Sequence, residues 1–319
     1  MLEENFCGLI RLDNNKEPIT LLHPIGEGAT SKVFKCIFNN MIFAIKLFNS
    51  DQENVYLNET KTLSSIRSSH VVNMITYGKG YYEDEYSLEE NKYYIILDYI
   101  ENGDLFDYVY LMKQGFPEDI ARMIFLKLLQ TVEECHREGI IHNDIKAENC
   151  LITNNFDIKL TDFGFAKITN DIEDKLFDWK GTLLYSSPEV KMYETRGYNG
   201  VKNDLYSLGI LLFVITVGTL PFNHPGLSDI HYKQLAKEDY VSFWKAFESK
   251  ASLTDECKDL INSMICFDCN KRISMDNIKN HKWIRSGNSC TNSNVNEMYM
   301  KEFEFRKIIV DVTKEAKMS

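Results

Sequence analysis

The sequence predicts an α+β protein in which a strand-rich part precedes a mainly helical part. From Ile19 to Phe48 the chain runs strand, glycine-containing turn, strand, turn, strand. Helical periodicity dominates after residue 104, and the strands there are confined to one hairpin, Cys150–Ile152 with Ile158–Leu160. A composition of 44% hydrophobic and 12% aromatic residues among 319 is ample for a sizeable core.

A helix and two further strands complete the strand-rich part. Asp51–Ile66 is a mainly polar helix with apolar residues at intervals, and Val71–Tyr77 and Tyr93–Tyr99 complete a five-stranded sheet. The acidic, tyrosine-rich stretch Gly78–Lys92 is expected to be an exposed loop. Residues 1–18 carry no pattern that predicts structure.

The helical part has strong start signals and one long apolar run. A helix begins at Pro117–Asp119, with a proline and two acids in its first turn, and ends near Gly139. The run Leu208–Leu220 is too short to span a bilayer and indicates a helix over Asn203–Gly218 that is buried on all sides. Further helices are predicted at Ser228–Lys250, Leu253–Cys266, Met275–His281 and, in the tail, Met298–Val312.

Four polar residues flank the predicted hairpin. The loop before it contains Asp144, Lys146 and Asn149, and Asp162 follows its second strand. The hairpin therefore brings these groups to one end of a small sheet. Asp144 could accept a proton from a hydroxyl, while Asn149 and Asp162 offer the hard oxygen ligands that Mg²⁺ requires. The set suits a phosphate-bearing substrate with a bound metal.

These residues resemble the active-site motifs of eukaryotic protein kinases. H-N-D-I-K-A-E-N at His142–Asn149 and D-F-G at Asp162–Gly164 are similar to H-R-D-x-x-x-x-N and D-F-G. G-E-G-A-T-S-K-V at Gly26–Val33 resembles the glycine-rich loop, with Ser31 in place of the third glycine, and F-A-I-K at Phe43–Lys46 resembles V-A-I-K. The resemblance extends over about residues 19–285.

The resemblance implies a two-lobed protein kinase fold. An N-lobe over residues 19–97 has a five-stranded antiparallel sheet and one helix, a hinge spans 98–103, and a mainly helical C-lobe spans 104–285. Residues 1–18 then form an N-terminal extension and residues 286–319 a C-terminal tail.

The implied activity is transfer of the γ-phosphate of ATP, with Mg²⁺, to Ser or Thr hydroxyls of proteins. Asp144 and Lys146 are the implied catalytic residues, and Asn149 and Asp162 the implied metal ligands. Lys46 would hold the nucleotide phosphates. The implied nucleotide-binding residues are Ile25, Gly26, Gly28, Ser31, Val33, Ala44, Lys46, Glu59, Leu97, Asp98, Ile100, Asp104 and Leu151.

The resemblance also implies several supporting contacts. Glu59 is the expected ion-pair partner of Lys46, with Glu53 as the alternative. Asp204 is expected to hold the backbone of the catalytic loop. Lys146 in D-x-K-x-x-N and a threonine, Thr182, in G-T-x-x-Y-x-x-P-E favour Ser/Thr acceptors, with Thr182 expected to meet Asp144. In that same segment Glu189 is expected to pair with Arg272.

One departure from the motif bears on regulation. Asn143 stands where most members of the family have an arginine that binds a phosphate on the activation segment, and a neutral amide cannot form that charged pair. The usual phosphate position, three residues before Gly181, is Asp178. We therefore expect the segment to be ordered without phosphorylation at Thr169 or Thr182, with Asp178 as a fixed negative charge.

Charge and local motifs narrow the expected substrates. The net charge is −11, and Asp104 and Glu148 match positions that bind basic residues upstream of the acceptor, so a basic substrate is expected. G-T-L-P-F at Gly218–Phe222 and F-W-K at Phe243–Lys245 resemble the calcium/calmodulin-dependent protein kinase-like group. No calcium-binding loop or basic calmodulin-type helix is visible in the sequence.

The remaining expectations concern the surroundings of the protein. The N-terminus has no signal sequence, and the eight cysteines lack a zinc or disulfide spacing, so a reducing cytoplasm is expected, with nuclear access left open. We expect a monomer that binds neither nucleic acid nor membrane. The rival interpretation is a pseudokinase, a binding scaffold without turnover. Lys46, Asp144 and Asp162, which such scaffolds typically lose, are all present.

Overall fold

The computed structural model describes residues 7–12, 17–84, 88–286 and 293–318. It divides into an N-terminal unit, up to Glu101 with Asp162–Gly164, and a C-terminal unit, Asn102–Thr161 with the residues from Phe165 onward. Strands dominate the first unit and helices the second, which confirms the predicted α+β class. Parts of the predicted extension, of the tyrosine-rich loop and of the tail's polar start lie outside the described residues.

The N-terminal unit is a closed barrel of antiparallel strands with one helix. The strand order is β1-β2-β3-β4-β6-β5, and β5 pairs with β1 to close the barrel. Alternate side chains from these strands fill the barrel core, as the pleat of a strand requires. The elements are β1 (Gly8–Arg11), β2 (Ile19–Glu27), β3 (Ser31–Phe38), β4 (Met41–Phe48), α1 (Glu53–Ser65), β5 (Met74–Glu83) and β6 (Leu88–Asp98).

Two features of this sheet differ from the prediction. Strand β1 adds a sixth strand within the segment where no pattern was found, and its Ile10 is fully buried opposite Ile19 and Tyr82. The predicted loop Gly78–Lys92 is wrong for most of its length, because β5 and β6 continue as a long hairpin that pairs with β1. Gly80 permits this approach, since a Cβ there would lie 2.7 Å from the carbonyl oxygen of Arg11.

The C-terminal unit is mainly helical. Its short strands are β7 (Ile140–Ile141), β8 (Cys150–Ile152), β9 (Ile158–Leu160), β10 (Lys167–Ile168), β11 (Lys175–Leu176) and β12 (Tyr198–Asn199). Its helices are α2 (Leu105–Tyr110), α3 (Glu118–Arg137), α4 (Tyr193–Arg196), α5 (Gly200–Val217), α6 (Ile230–Ala236), α7 (Tyr240–Lys245), α8 (Asp255–Met264), α9 (Met275–Lys279), α10 (Lys282–Ser286) and α11 (Ser293–Met318). The predicted hairpin is present as β8 and β9.

Helix α5 is the central element of this unit. It begins at Asn199, whose side chain accepts a hydrogen bond from Lys202 N, and ends at Gly218 with a left-handed φ of 85°. Within the described ranges it is the one helix long and apolar enough to cross a membrane. Because 89% of it is buried inside the protein, it is a core helix, as predicted.

Two helical segments differ in length from their predictions. The single helix expected over Ser228–Lys250 is two helices, α6 and α7, because Glu238 has a left-handed φ of 57° and Asp239 caps the new helix through Ser242 N. The tail helix α11 runs well beyond the predicted Met298–Val312 at both ends.

Candidate active site

The N-terminal unit contains a buried lysine between two carboxylates. Lys46 Nζ on β4 lies 2.9 and 2.7 Å from the two carboxylate oxygens of Glu59 on α1, and 2.7 Å from Oδ1 of Asp162. The predicted Lys46–Glu59 pair therefore forms. The alternative partner, Glu53, instead accepts a hydrogen bond from the hydroxyl of Tyr93.

The three charges shift one another's protonation. Burial alone would lower the pKa of the Lys46 ammonium, but the charges of Asp162 and Glu59 raise it above its ordinary value. Burial raises the pKa of Glu59 to about 7, against the opposing attraction of Lys46. Lys46 is thus a permanent cation held in one orientation, as binding of a phosphate requires.

The expected nucleotide-binding residues of the sheet share one face. Val33 lies opposite Lys46, and Ala44 lies opposite Leu97; side chains of directly paired residues project on the same side. Ala44 and Lys46 are two residues apart on β4, so these four side chains form one surface. The glycine-rich turn before Val33 is closed by a 2.9 Å hydrogen bond from the N–H of Gly28 to the carbonyl of Ser31.

The remaining predicted nucleotide residues of this unit lie near strand ends. Gly26 and the exposed Ile25 are at the end of β2, while Asp98 and Ile100, at and just after the end of β6, are half-buried. Asp98 donates its backbone N–H to the carbonyl of Asn73 over 3.0 Å. The backbone N–H of Asp98 is therefore already paired within this unit.

The D-F-G segment is tied to helix α1. Asp162 has a left-handed φ of 63°, a strained conformation that is common at functional sites. Asn58 Nδ2 donates a 3.2 Å hydrogen bond to the carbonyl of Gly164. A Cβ on Gly164 would come within 3.2 Å of side-chain atoms of Glu59 and Val55, so a larger residue there would press on the partner of Lys46. The sequence pattern gave no indication of the role of Asn58.

In the C-terminal unit, one buried aspartate anchors the loop His142–Asn149, which the sequence predicts to be the catalytic loop. The carboxylate of Asp204 on α5 accepts 2.9 Å hydrogen bonds from the backbone N–H groups of His142 and Asn143. The predicted anchor is therefore present. His136 on α3 lies 2.8 Å from the same carboxylate, a contact that the helical stripe could not distinguish from simple core packing.

Asp144 has one occupied and one unpartnered carboxylate oxygen. Its Oδ2 lies 2.8 Å from Lys146 Nζ and 3.2 Å from Asn149 Nδ2. Its Oδ1 is buried and, among the described residues, has no hydrogen-bond partner. An orphaned buried acceptor is costly for a fold and is typical of a group that receives a proton or ligand.

Thr182 contacts Asp144 indirectly, through Lys146. Lys146 Nζ, which binds Asp144, also lies 2.9 Å from Thr182 Oγ1. The expected direct contact of Thr182 with Asp144 is thus replaced by a bridge through Lys146, because the ammonium can donate to both oxygens at once.

The candidate metal ligands have suitable atoms available. Asn149 donates its amide nitrogen to the carbonyl of Asp144 over 2.8 Å, which leaves its amide oxygen as the atom able to bind a cation. The Asp162 carboxylate is 41% exposed. In the ranges that the structure describes, no three His, Cys, Asp or Glu side chains form a metal cage. An amide oxygen and a carboxylate oxygen are each of the ligand type that Mg²⁺ prefers.

Two further acids lie in or beside the loop His142–Asn149. Asp104 caps α2 by accepting a 3.0 Å hydrogen bond from Asp107 N, and its backbone pairs with that of Leu151. Burial raises the pKa of Asp104 to about 6, and burial also raises the pKa of Glu148. The Lys314 ammonium on α11 forms an ion pair with Asp107 at 2.8 Å. Its positive charge opposes the rise in the pKa of Asp104.

The activation segment follows the D-F-G motif and ends at Glu189. It is held in place by side chains of the protein itself. Asn143 has a φ of 64°, donates to the carbonyl of Phe165 over 3.3 Å, and has Oδ1 3.0 Å from the Tyr198 hydroxyl. Lys167 forms an ion pair with the exposed carboxylate of Asp178.

The expected ion pair at the end of the activation segment is present. The guanidinium of Arg272 binds both oxygens of Glu189, at 2.6 and 2.9 Å. It also donates to the carbonyl of Lys202 at the start of α5, so this end of the segment is fixed to the central helix.

The barrel, the buried lysine and the anchored catalytic loop define the class of protein kinase domains. The protein kinase domain family matches residues 19–284, and the chain belongs to that family. Among curated proteins it is 36% identical over 194 residues to serine/threonine-protein kinase SIK1 of Mus musculus, which covers 60% of this chain and 23% of the relative.

Two further relatives cover more of the chain. Serine/threonine-protein kinase SIK2 of Gallus gallus is 32% identical over 244 residues, 76% of this chain and 27% of the relative. CBL-interacting protein kinase 11 of Oryza sativa subsp. japonica is 30% identical over 267 residues, 82% of this chain and 50% of the relative. The matched part of this chain thus spans half or less of the length of these relatives.

Proposed function

We propose that the protein is a serine/threonine protein kinase that uses ATP and Mg²⁺. The observation that carries the proposal is the buried, unpartnered Oδ1 of Asp144, held beside Lys146 and Thr182. A group in this setting can accept the proton of an incoming hydroxyl. Membership of the protein kinase domain family and the similarity to named serine/threonine-protein kinases support it.

The reaction assigns a step to each group. The acceptor hydroxyl oxygen attacks the γ-phosphorus, and its proton passes to Asp144. The bond between the γ-phosphorus and the oxygen bridging to the β-phosphate breaks, and ADP leaves with that oxygen. Lys146 offsets charge on the transferring phosphoryl group, and Lys46 orients the other phosphates. Mg²⁺, held by Asn149 and Asp162, supplies further charge neutralisation when it is bound.

Transfer of labelled phosphate from γ-labelled ATP to a basic protein tests this proposal. We expect transfer by the natural sequence and its loss in Asp144→Asn, which removes the proton acceptor but keeps the shape. Asp259→Asn, at a 73% exposed carboxylate on α8, is the matched control and should retain activity. Nucleotide binding without transfer by the natural sequence would instead establish the scaffold.

We propose that the activation segment adopts its working form without phosphorylation. The contacts of Asn143 with Phe165 and Tyr198, and the Lys167–Asp178 pair, support this, because they join the segment to the catalytic loop and to β10 without a phosphate. Protein produced with an added phosphatase should be active. Strict dependence on phosphate at Thr169 or Thr182 would contradict the proposal.

We propose that substrates carry Arg or Lys a few residues before the acceptor. Asp104 and Glu148 support this, because both are acids on or beside the catalytic loop and Asp104 is partly desolvated. The net charge of −11 agrees. A peptide library should show enrichment of basic residues, whereas enrichment of proline or acids would refute it. A monomer located in the cytoplasm, without nucleic-acid or membrane binding, completes the proposal.

A further inference from the structure

Helix α11 is fixed to the C-terminal unit along one face. Tyr299, Phe303, Arg306 and Val310 on this face are all buried. The Tyr299 hydroxyl donates to the carbonyl of Phe156 over 2.7 Å, and the Phe303 ring packs against Phe156 at 5.5 Å between centroids. The helix is therefore held in one rotational setting.

The opposite face of α11 is an exposed apolar row. Met298, Phe305, Ile308 and Val312 are spaced by seven, three and four residues, so they occupy three a positions and one d position of a coiled-coil heptad, whose other d positions hold Lys301 and Glu315. Their exposed fractions are 51%, 53%, 62% and 61%. Single exposed apolar residues are ordinary, but an aligned row of four on a fixed helix is typical of an interaction surface. We call these four residues the seam.

An acidic row borders one side of the seam. Glu297, Glu304 and Asp311 recur every seven residues, at the flanking position that selects the partner in a coiled coil. Two of them have partners within the helix, Lys301 at 2.6 Å from Glu297 and Lys307 at 3.3 Å from Asp311. Exposed pairs of this kind are weak, so a partner's basic residues can compete with them.

A cavity borders the other side of the seam. Its volume is about 350 Å³, and Phe305 of the seam is one of its lining residues. Glu302, Phe305 and Arg306 bring α11 into its wall. Most of the remaining wall comes from the α2–α3 connection and the loop before α8. A cavity of this size can receive one or two large side chains, as the anchor residues of an interface require.

We propose that the seam binds an amphipathic helix of a partner protein that carries apolar residues at heptad spacing and Lys or Arg along one flank. The partner's apolar residues cover the seam, its basic flank lies against the acidic row, and one large side chain enters the cavity. The net charge of −11 favours a basic partner. This surface contains none of the residues assigned to phosphate transfer.

A second copy of the chain fits the seam less well. In a parallel pair the acidic row would face Glu302, Ile309 and Ala316, which include no base. In an antiparallel pair the two acidic rows would face each other and repel. The charges therefore favour a different, basic helix.

Fluorescence anisotropy with the full chain tests the proposal. The probe is a labelled synthetic helix with leucine at the a and d positions and lysine at the flanks, and its control has glutamate in place of every lysine. We expect binding of the lysine peptide alone, weakened by salt. Phe305→Ser with Ile308→Ser should reduce the affinity by at least about tenfold, and Glu304→Lys should reduce it as well.

A matched variant distinguishes binding at the seam from nonspecific binding to exposed apolar residues. Val241→Ser removes an 84% exposed valine from α7 and should leave the affinity unchanged. All variants should keep the melting temperature and the kinase activity of the natural sequence, because the altered side chains are exposed. No binding, or equal binding by the seam variant, would overturn the proposal. Self-association in sedimentation velocity that Phe305→Ser abolishes would assign the seam to a second copy instead.

Discussion

The side-chain oxygen of Asn143 lies 3.0 Å from the hydroxyl of Tyr198, and both side chains are buried. This contact joins the catalytic loop to β12, the strand that carries Tyr198. The same hydroxyl lies 3.4 Å from the carbonyl of Asp178. A neutral hydrogen bond is thus formed at the position where most members of the family have a charged arginine.

Removal of the Tyr198 hydroxyl should weaken the connection between the catalytic loop and β12. We expect Tyr198→Phe to lower the free energy of unfolding by about 1–3 kcal/mol, because Asn143 loses its hydroxyl donor in a buried setting. Kinase activity should fall with it. Tyr110→Phe, at an exposed tyrosine on α2, is the control. Calorimetry and phosphate transfer measure the two effects, and identical behaviour of the two variants would contradict the role.

The Lys167–Asp178 pair should contribute a small, salt-sensitive stabilisation of the activation segment. Both side chains are at least partly exposed, so the coupling energy in a double-mutant cycle of Lys167→Met and Asp178→Asn should be about 0.2–1 kcal/mol. Activity of unphosphorylated protein should fall in either single variant and fall no further in the double variant. Additive losses at low salt would show that the two residues act separately.

Glu59 and Glu53 offer a matched pair of substitutions on one helix. Glu59→Gln removes the carboxylate that holds buried Lys46, and we expect activity to fall by at least about tenfold, since breaking a buried pair costs several kcal/mol. Glu53→Gln alters only a contact with Tyr93 and should leave activity unchanged. Phosphate transfer at saturating ATP, with a melting curve for each variant, distinguishes loss of function from unfolding.

The motif residues could be predicted because their spacing is set by their chemistry. Asp144 and Asn149 were predicted to lie together because both fall in one short loop, and the structure has Asn149 in contact with Asp144. Glu59 was expected from the sequence with Glu53 as the alternative, and the structure separates the two because glutamates six residues apart point to different sides of a helix. Strand β1 could not be predicted, because four residues carry little pattern and their pairing with β5 depends on chain 70 residues away. The contact of His136 with Asp204 could not be predicted for the same reason, since the two residues are 68 positions apart in the chain.

The raised pKa of Asp104 predicts a pH dependence of stability. Its pKa is about 6 in the folded chain against 3.8 as the ordinary value. Between these values the folded state holds a proton that the unfolded state has lost, so the contribution of Asp104 to stability falls as pH rises through this window. Asp104→Asn keeps the cap of α2 and removes the titration.

The melting temperature of Asp104→Asn minus that of the natural sequence should therefore rise between about pH 4 and pH 6 and then stay constant. Differential scanning fluorimetry across this range measures it. Asn155→Ser, in the exposed turn between β8 and β9, changes no titrating group and is the control, whose difference should stay constant. A difference for Asp104→Asn that does not change with pH would mean that its carboxyl titrates normally.

Arg306 makes α11 a structural part of the C-terminal unit. Its buried guanidinium donates to the carbonyls of Tyr108, Gln114 and Gly115 at 2.9, 3.0 and 2.7 Å, and to the carboxylate of Glu302 at 2.7 Å. Three carbonyl oxygens in and after α2 therefore all accept hydrogen bonds from this one side chain. Substitution therefore leaves several buried acceptors unsatisfied at once.

We expect Arg306→Met to lower the melting temperature by about 5–15 °C, because about 3–5 kcal/mol is lost when a buried charged partner is removed. Lys301→Met, at an exposed lysine on the same helix, should change it by less than about 2 °C. Kinase activity measured well below the melting transition should not increase in Arg306→Met. An increase would mean that α11 restrains the enzyme, whereas a loss that parallels the melting curve identifies the helix as part of the folded core.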